Sequence, residues 1–236
     1  MPNVIGVLGG MGPQATILLQ QRLLEGVDAA DDASHVPLII DMNPQVPSRL
    51  DWLLSGAGQD PGPVLAGMAK RLEKAGAVAL AMPCNTAHHF APAIVSAVSI
   101  PLLDMVELSA RALVDAVGPG ARVGILASPA TQRTDLFKGI FGRHGLDVVF
   151  PDPMDALLAT IRRIKSSGAS ERDVAALSAA GRDCRQRGAA CLLVGCSEFS
   201  LLASRIDSDL PVIDTLDVLV SRMLAVAGVT AGRAVG

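Results

Sequence analysis

The sequence predicts an α/β fold of two pseudo-symmetric lobes, each a mainly parallel sheet flanked by helices, with the functional site in the cleft between them. Three observations predict it: short apolar runs alternate with longer helical patterns, those runs lack polar alternation, and one half of the chain echoes the other. Runs rich in Val, Ile, Leu and Ala near 3–8, 36–41, 77–82, 101–103, 122–127, 147–150, 189–194 and 211–213 read as strands. Polar alternation would mark a sheet face left in water; its absence fits parallel strands covered on both faces. Helices fill the stretches near 13–29, 63–75, 85–97, 105–117, 130–144, 153–166, 170–187, 198–205 and 215–228, and this alternation is the α/β pattern. The polar interruption SGAGQDPGP (55–63) reads as a loop by its Gly and Pro content. A loop of that length inside a compact lobe suits a mobile lid.

The echo gives the domain organisation. AGAVALAMPCNTAHHF (75–90) aligns with RGAACLLVGCSEFSLL (187–202), IPLLDMVE (100–107) with LPVIDTLD (210–217), and IGVLGG (5–10) with VGILAS (123–128). Three landmarks in one order at similar offsets describe a duplicated unit. The expected division is a first lobe over 1–105, a second over 106–214, and a C-terminal helix within 215–236 that either lobe could receive. Gly118-Pro119-Gly120 is a natural joint near the boundary.

Composition excludes several classes. Lys and Arg total 20 against 23 Asp and Glu, a net charge of −3, and aromatic residues make up 3% with no Tyr. Basic patches and stacking platforms for nucleic acid are therefore missing. The apolar runs are broken by Gly, Pro or charge before reaching a membrane span, and MPNVIGVLGG lacks the basic start of a signal peptide. The expectation is a cytoplasmic protein. Four histidines without an HxH or HExxH motif supply no metal set. Gly10, Gly12 and Ala15 after a strand imitate a dinucleotide fingerprint, but Pro13 follows Gly12 and Asp41 runs directly into MNPQVP. No lysine stands out as a Schiff-base former, and the thiol pair Cys84 and Cys196 makes an electron-sink cofactor unnecessary, so none is expected.

Cys84, Cys184, Cys191 and Cys196 are expected to be free thiols. Cys191 lies mid-strand and Cys184 on a helix, and both read as small core hydrophobes. Cys84 and Cys196 instead occupy equivalent strand-to-helix turns, at the carboxyl ends where parallel sheets bind ligands. A helix N-terminus behind each would lower its pKa and populate the thiolate. Two thiols facing one cleft provide a base and an acid for opposite faces of one carbon, which is what inverting a stereocentre beside a carboxylate requires. They must hold opposite protonation states and titrate together.

GVLGGMGPQAT (6–16), NPQVPSR (43–49), PCNTAHH (83–89) and GCSE (195–198) together resemble the aspartate/glutamate racemase superfamily, in particular its aspartate-racemase-like branch. The resemblance implies a cofactor-independent amino-acid racemase with its site between two lobes, an acidic amino acid as substrate, and a homodimer. It also implies that Cys84 and Cys196 are catalytic. Asn85, Thr86 and Ser197 would hold the substrate carboxylate, Gly10 and Met11 would line the first turn, and Arg49 and Lys165 would pair with carboxylates. Lys165 reads equally as a solvated cation at a helix end. Either His88 or His89 could line the pocket or pack as a cap. Ser48 stands where many aspartate racemases carry an acid, Leu50 where Thr is common, and Glu198 where glutamate racemases show His. These departures bear on which amino acid is used. Maleate isomerases and hydantoin racemases share the two-cysteine scaffold, and a carboxylate-binding protein without activity would need neither thiol.

Overall fold

The computed structural model describes residues 2–230 and 232. The first half contains β1 (Ile5–Gly9), α1 (Pro13–Glu25), β2 (Leu38–Met42), α2 (Arg49–Ser55), α3 (Pro61–Lys74), β3 (Ala79–Ala81), α4 (Ala91–Val95), β4 (Leu102–Leu103) and α5 (Met105–Val117). The second contains β5 (Arg122–Leu126), α6 (Pro129–Arg133), α7 (Leu136–Arg143), β6 (Asp147–Val149), α8 (Asp155–Ser167), α9 (Glu171–Gln186), β7 (Cys191–Val194), β8 (Val212–Asp214) and α10 (Thr215–Ala227). The strands form two four-stranded parallel sheets of identical topology, β2-β1-β3-β4 and β6-β5-β7-β8.

The inner strands β1, β3, β5 and β7 bury both faces, as their hydrophobicity requires, while the edge strands β2 and β6 are half-buried to exposed. Ile5, Val7, Ala79 and Ala81 pack toward α1 and α10, whereas Leu8, Leu80 and Met82 pack toward α3. In the second sheet Val123, Ile125, Cys191 and Leu193 meet α5 and α7, and Leu126, Leu192 and Val194 meet α8 and α9. Gly124 admits the helix behind it: a Cβ there would lie 2.7 Å from the Cβ of Cys184 on α9. Cys184 and Cys191 are fully buried in these layers, and burial pushes their thiols up, to about 12 and about 11.

The last helix of each half crosses to the other sheet. Val106, Ala110 and Leu113 of α5 pack on the second sheet, while Leu216, Leu219 and Met223 of α10 pack on the first. Strand patterning did not decide the placement of α10, because its apolar face suits either sheet. The expected C-terminal segment 215–236 ends here as helix at Ala227; residues 231 and 233–236 lie outside the described residues. Among the described residues no helix is long and apolar enough to cross a membrane.

Four expected elements differ. The helix expected over 85–97 is a 3-10 turn, Thr86–Phe90, followed by the short α4. The helix expected over 198–205 is two 3-10 turns, Phe199–Leu201 and Ala203–Arg205. The 130–144 helix divides into α6 and α7 at Asp135, which adopts a left-handed φ of 52°. The loop expected over 55–63 shrinks to 56–60, because Ser48 caps α2 by accepting from the Asp51 amide and Asp60 caps α3 by accepting from Gly62.

Leu219→Ala tests the crossing of α10. The side chain is fully buried, so its truncation should cost about 3 kcal/mol in urea unfolding; a loss below about 1 kcal/mol would mean that α10 does not pack on the first sheet.

Candidate active site

The carboxyl ends of the two sheets face each other around a cavity of about 290 Å³, small enough for a single amino-acid-sized molecule. From the first half, Met11, Ser48, Arg49, Cys84 and Thr86 line it; from the second, Ser128, Ile161, Lys165, Cys196 and Glu198 do. The expected residues Met11, Arg49, Cys84, Thr86, Lys165 and Cys196 thus meet in one place. Gly10, Asn85 and Ser197 do not line the cavity.

Those three residues hold the turns. Gly10 has φ +91°, and a Cβ would fall 2.5 Å from the carbonyl carbon of Asn43, so only glycine fits between the β1 turn and the loop after β2. Asn85 is buried and donates from Nδ2 to Thr215 Oγ1 at 2.9 Å, while Thr215 donates to Val194 O at 3.0 Å. In the opposite sense, Ser197 Oγ donates to Pro83 O at 2.8 Å. Each residue following a cysteine is therefore anchored in the other half of the chain.

His88 stands behind Cys84. Its Nδ1 donates to Cys84 O at 2.9 Å, and its Nε2 accepts from the Met105 amide at 3.1 Å, which fixes a neutral tautomer. Burial lowers its pKa, against the opposing pull of Asp104 and the Cys84 carbonyl. It packs as a cap. His89 is exposed and makes an edge contact with Phe90.

Arg49 begins α2, a helix absent from the sequence reading although Ser48 and Asp51 make its capping pattern. Its Nη1 donates to Val46 O and Pro47 O at 3.1 and 3.0 Å, which aims the guanidinium along the cavity wall. Between the two halves, Arg133 on α6 donates to Leu54 O near the end of α2. Thr86 Oγ1 and Ser128 Oγ lie 3.1 Å apart. Ser128 was missing from the expected site, yet the alignment of VGILAS with IGVLGG already put it opposite Gly10.

Lys165 is not a free surface cation. Its Nζ lies 2.8 Å from Glu198 Oε1, and Glu198 Oε2 accepts from Cys196 Sγ at 3.1 Å. Burial works against the Lys165 charge, but Glu198, with smaller contributions from Cys84 and Cys196, holds its pKa above the ordinary lysine value. The expected lowering of Cys196 by a helix terminus is overturned. Only a 3-10 turn follows it, and burial, then the Glu198 charge and hydrogen bond, push this thiol well up, with Lys165 partly offsetting them.

The Asp/Glu/hydantoin racemase family model matches residues 8–223. The chain belongs to this family. Among its relatives, the broad specificity amino-acid racemase RacX of Bacillus subtilis (strain 168) is 24% identical over 217 residues, which cover 90% of this chain and 92% of RacX. The Picrophilus torridus aspartate racemase superposes with a TM-score of 0.87 at 25% identity, covering 98% of this chain and 96% of that one. An aspartate racemase homologue from Pyrococcus horikoshii OT3 has the same fold, with a TM-score of 0.75 at 20% identity over 97% and 100% of the two chains.

The neutral, buried His88 makes a pH prediction. Unfolding frees this histidine to bind a proton at the ordinary histidine pKa, whereas the folded protein resists it until lower pH. Stability is therefore intact above the ordinary value and falls as pH drops through it toward the folded pKa, by up to about 1.4 kcal/mol per pH unit. His88→Gln should flatten this part of the urea-midpoint profile; an unchanged slope would contradict the buried neutral assignment.

Proposed function

We propose that the protein is a cofactor-independent amino-acid racemase that uses Cys84 and Cys196 as a pair. The observation that carries the reading is two cysteines on equivalent turns of a duplicated fold, both lining one small cavity. Membership of the racemase family supports it. One thiolate removes the α-proton of the bound amino acid, the C–H electron pair stays on the α-carbon, and the other thiol delivers a proton to the opposite face. The two sulfurs exchange roles for the reverse direction, and a solvent proton exchange returns the free protein to its starting form.

Arg49 grips a substrate carboxylate, which suits its planar fork. Thr86 and Ser128 offer hydroxyls from either side of the cavity. Asn85 and Ser197 keep the turns in register through the contacts described above. The substrate class is an acidic or related amino acid, with aspartate and glutamate first among those to try.

The test is incubation of each enantiomer of aspartate, glutamate and alanine with the purified protein and no added cofactor, followed by chiral chromatography. At least one pair should interconvert to an equal mixture. Cys84→Ala and Cys196→Ala should each lower kcat by roughly a thousandfold while their urea midpoints stay close to the parent's. Full racemisation by either variant would sink the two-thiol mechanism, and isomerisation of maleate without any amino-acid turnover would replace the reading altogether.

A further inference from the structure

The two halves treat their cysteines differently at one position. The residue two places after Cys84 is Thr86, whose hydroxyl lies beside Ser128; the residue two places after Cys196 is Glu198, whose Oε2 accepts from the Cys196 thiol at 3.1 Å. A carboxylate has been set against one sulfur of a pair that is otherwise related by the duplication. It is also a well-held carboxylate. Its other oxygen is 2.8 Å from Lys165 Nζ, and its side chain is only 12% exposed.

We propose that Glu198 keeps the proton on Cys196 in the free protein, so that Cys196 rests as the proton donor and Cys84 is the base that meets substrate first. The inference rests on the two-thiol reading above and extends it, by assigning the resting roles and giving Glu198 and Lys165 separate jobs. A carboxylate that accepts a hydrogen bond from S–H is favourable; the same carboxylate beside a thiolate is two like charges in contact. Burial of Cys196 acts in the same direction. Lys165 supplies the counterweight. Its ammonium, on α8, limits the cost when Cys196 has given up its proton after a turnover.

The charged groups around Cys196 are few and agree with this division. Glu198 lies on its own turn, Lys165 on α8, Arg49 on α2 across the cavity, and Cys84 on the facing turn. Asp214 at the end of β8 is engaged by Arg22 at 2.7 Å and by Ser200, away from the sulfurs. After one turnover Cys84 carries the abstracted proton and Cys196 is the thiolate. Loss of a proton from Cys84 to water and uptake of one by Cys196 from water restore the resting form. No other reactant is needed. Glu198 touches the reacting sulfur, but it neither gives nor takes the substrate's proton.

Iodoacetamide alkylation of the full chain without substrate, over a pH series with peptide mass mapping, reads the two sulfurs separately. Accessibility does not separate them, since Cys84 and Cys196 are 8% and 6% exposed. In the parent, Cys84 should react at lower pH than Cys196, and near pH 7.5 at least about tenfold faster. Glu198→Gln should move the Cys196 profile to lower pH and narrow that ratio, and Lys165→Met should move it to higher pH. Reaction of Cys196 before Cys84 in the parent would overturn the assignment, as would an unmoved Cys196 profile in Glu198→Gln. Should Glu198→Gln fail to fold, the upward shift in Lys165→Met decides, and its absence counts against the proposal. The alkylation order does not depend on turnover. If the order holds while no amino acid racemises, the racemase reading falls and the thiol assignment stands.

Discussion

Asn85 and Ser197 each follow a cysteine, and each sends its side chain into the other half of the chain, one to Thr215 and the other to Pro83 O. These bonds are buried, so losing either would leave a polar group without water, a penalty of about 1–3 kcal/mol. Two sulfurs can serve opposite faces of one carbon only if the turns that carry them cannot slide apart. The rest of the architecture serves the same constraint. The exchange of α5 and α10 between the sheets ties the halves through their apolar cores, and Arg22 of α1 adds contacts to Asp214, Asp217 and Ser200 O on the far side. His88 braces the Cys84 turn against the start of α5, so even the backbone behind the sulfur is bonded to the helix that crosses over.

The cavity combines rigid and responsive parts. Its floor is made by turns at the strand ends, held by backbone geometry such as that of Gly10, where no other residue fits. One wall includes the start of the short helix α2, which carries Arg49 and is tied to the second half by Arg133. The Cys196–Glu198–Lys165 chain is the part that we propose responds, since a proton gained or lost at the sulfur changes one charge beside a fixed carboxylate and a fixed ammonium. A duplicated fold gives two equal sulfurs; the substitution of a carboxylate at one of two equivalent positions makes them unequal.

Most of the fold was legible because burial on both faces leaves an apolar signature in the inner strands, and because the duplication repeats that signature in order. The placement of Cys84 and Cys196 on equivalent turns came from the same echo. What periodicity could not supply was the form of the short segments after the cysteines. PCNTAHHF and GCSEFSLL carry apolar spacing compatible with a helix, but Asn85, Thr86 and Ser197 reach into the opposite half, and the chain there runs in 3-10 turns. Once the long helices vanish, so does the argument that a helix terminus lowers the thiols. The electrostatics of Cys196 depend instead on Glu198 and Lys165, which are distant in sequence and meet only through the packing of α8. The capping pattern of Ser48 and Asp51 was present in the sequence and marked α2, although the flanking prolines made the segment look like a loop.

The central claim is that two different sulfurs act on the two faces of one carbon. Racemisation of a single enantiomer in D2O, followed by mass spectrometry of both enantiomers during the first few per cent of conversion, tests it most directly. Two sulfurs working on opposite faces predict product that carries deuterium at Cα while the remaining substrate stays protiated. Equal deuterium in substrate and product from the start would mean that one group serves both faces, and would contradict the account.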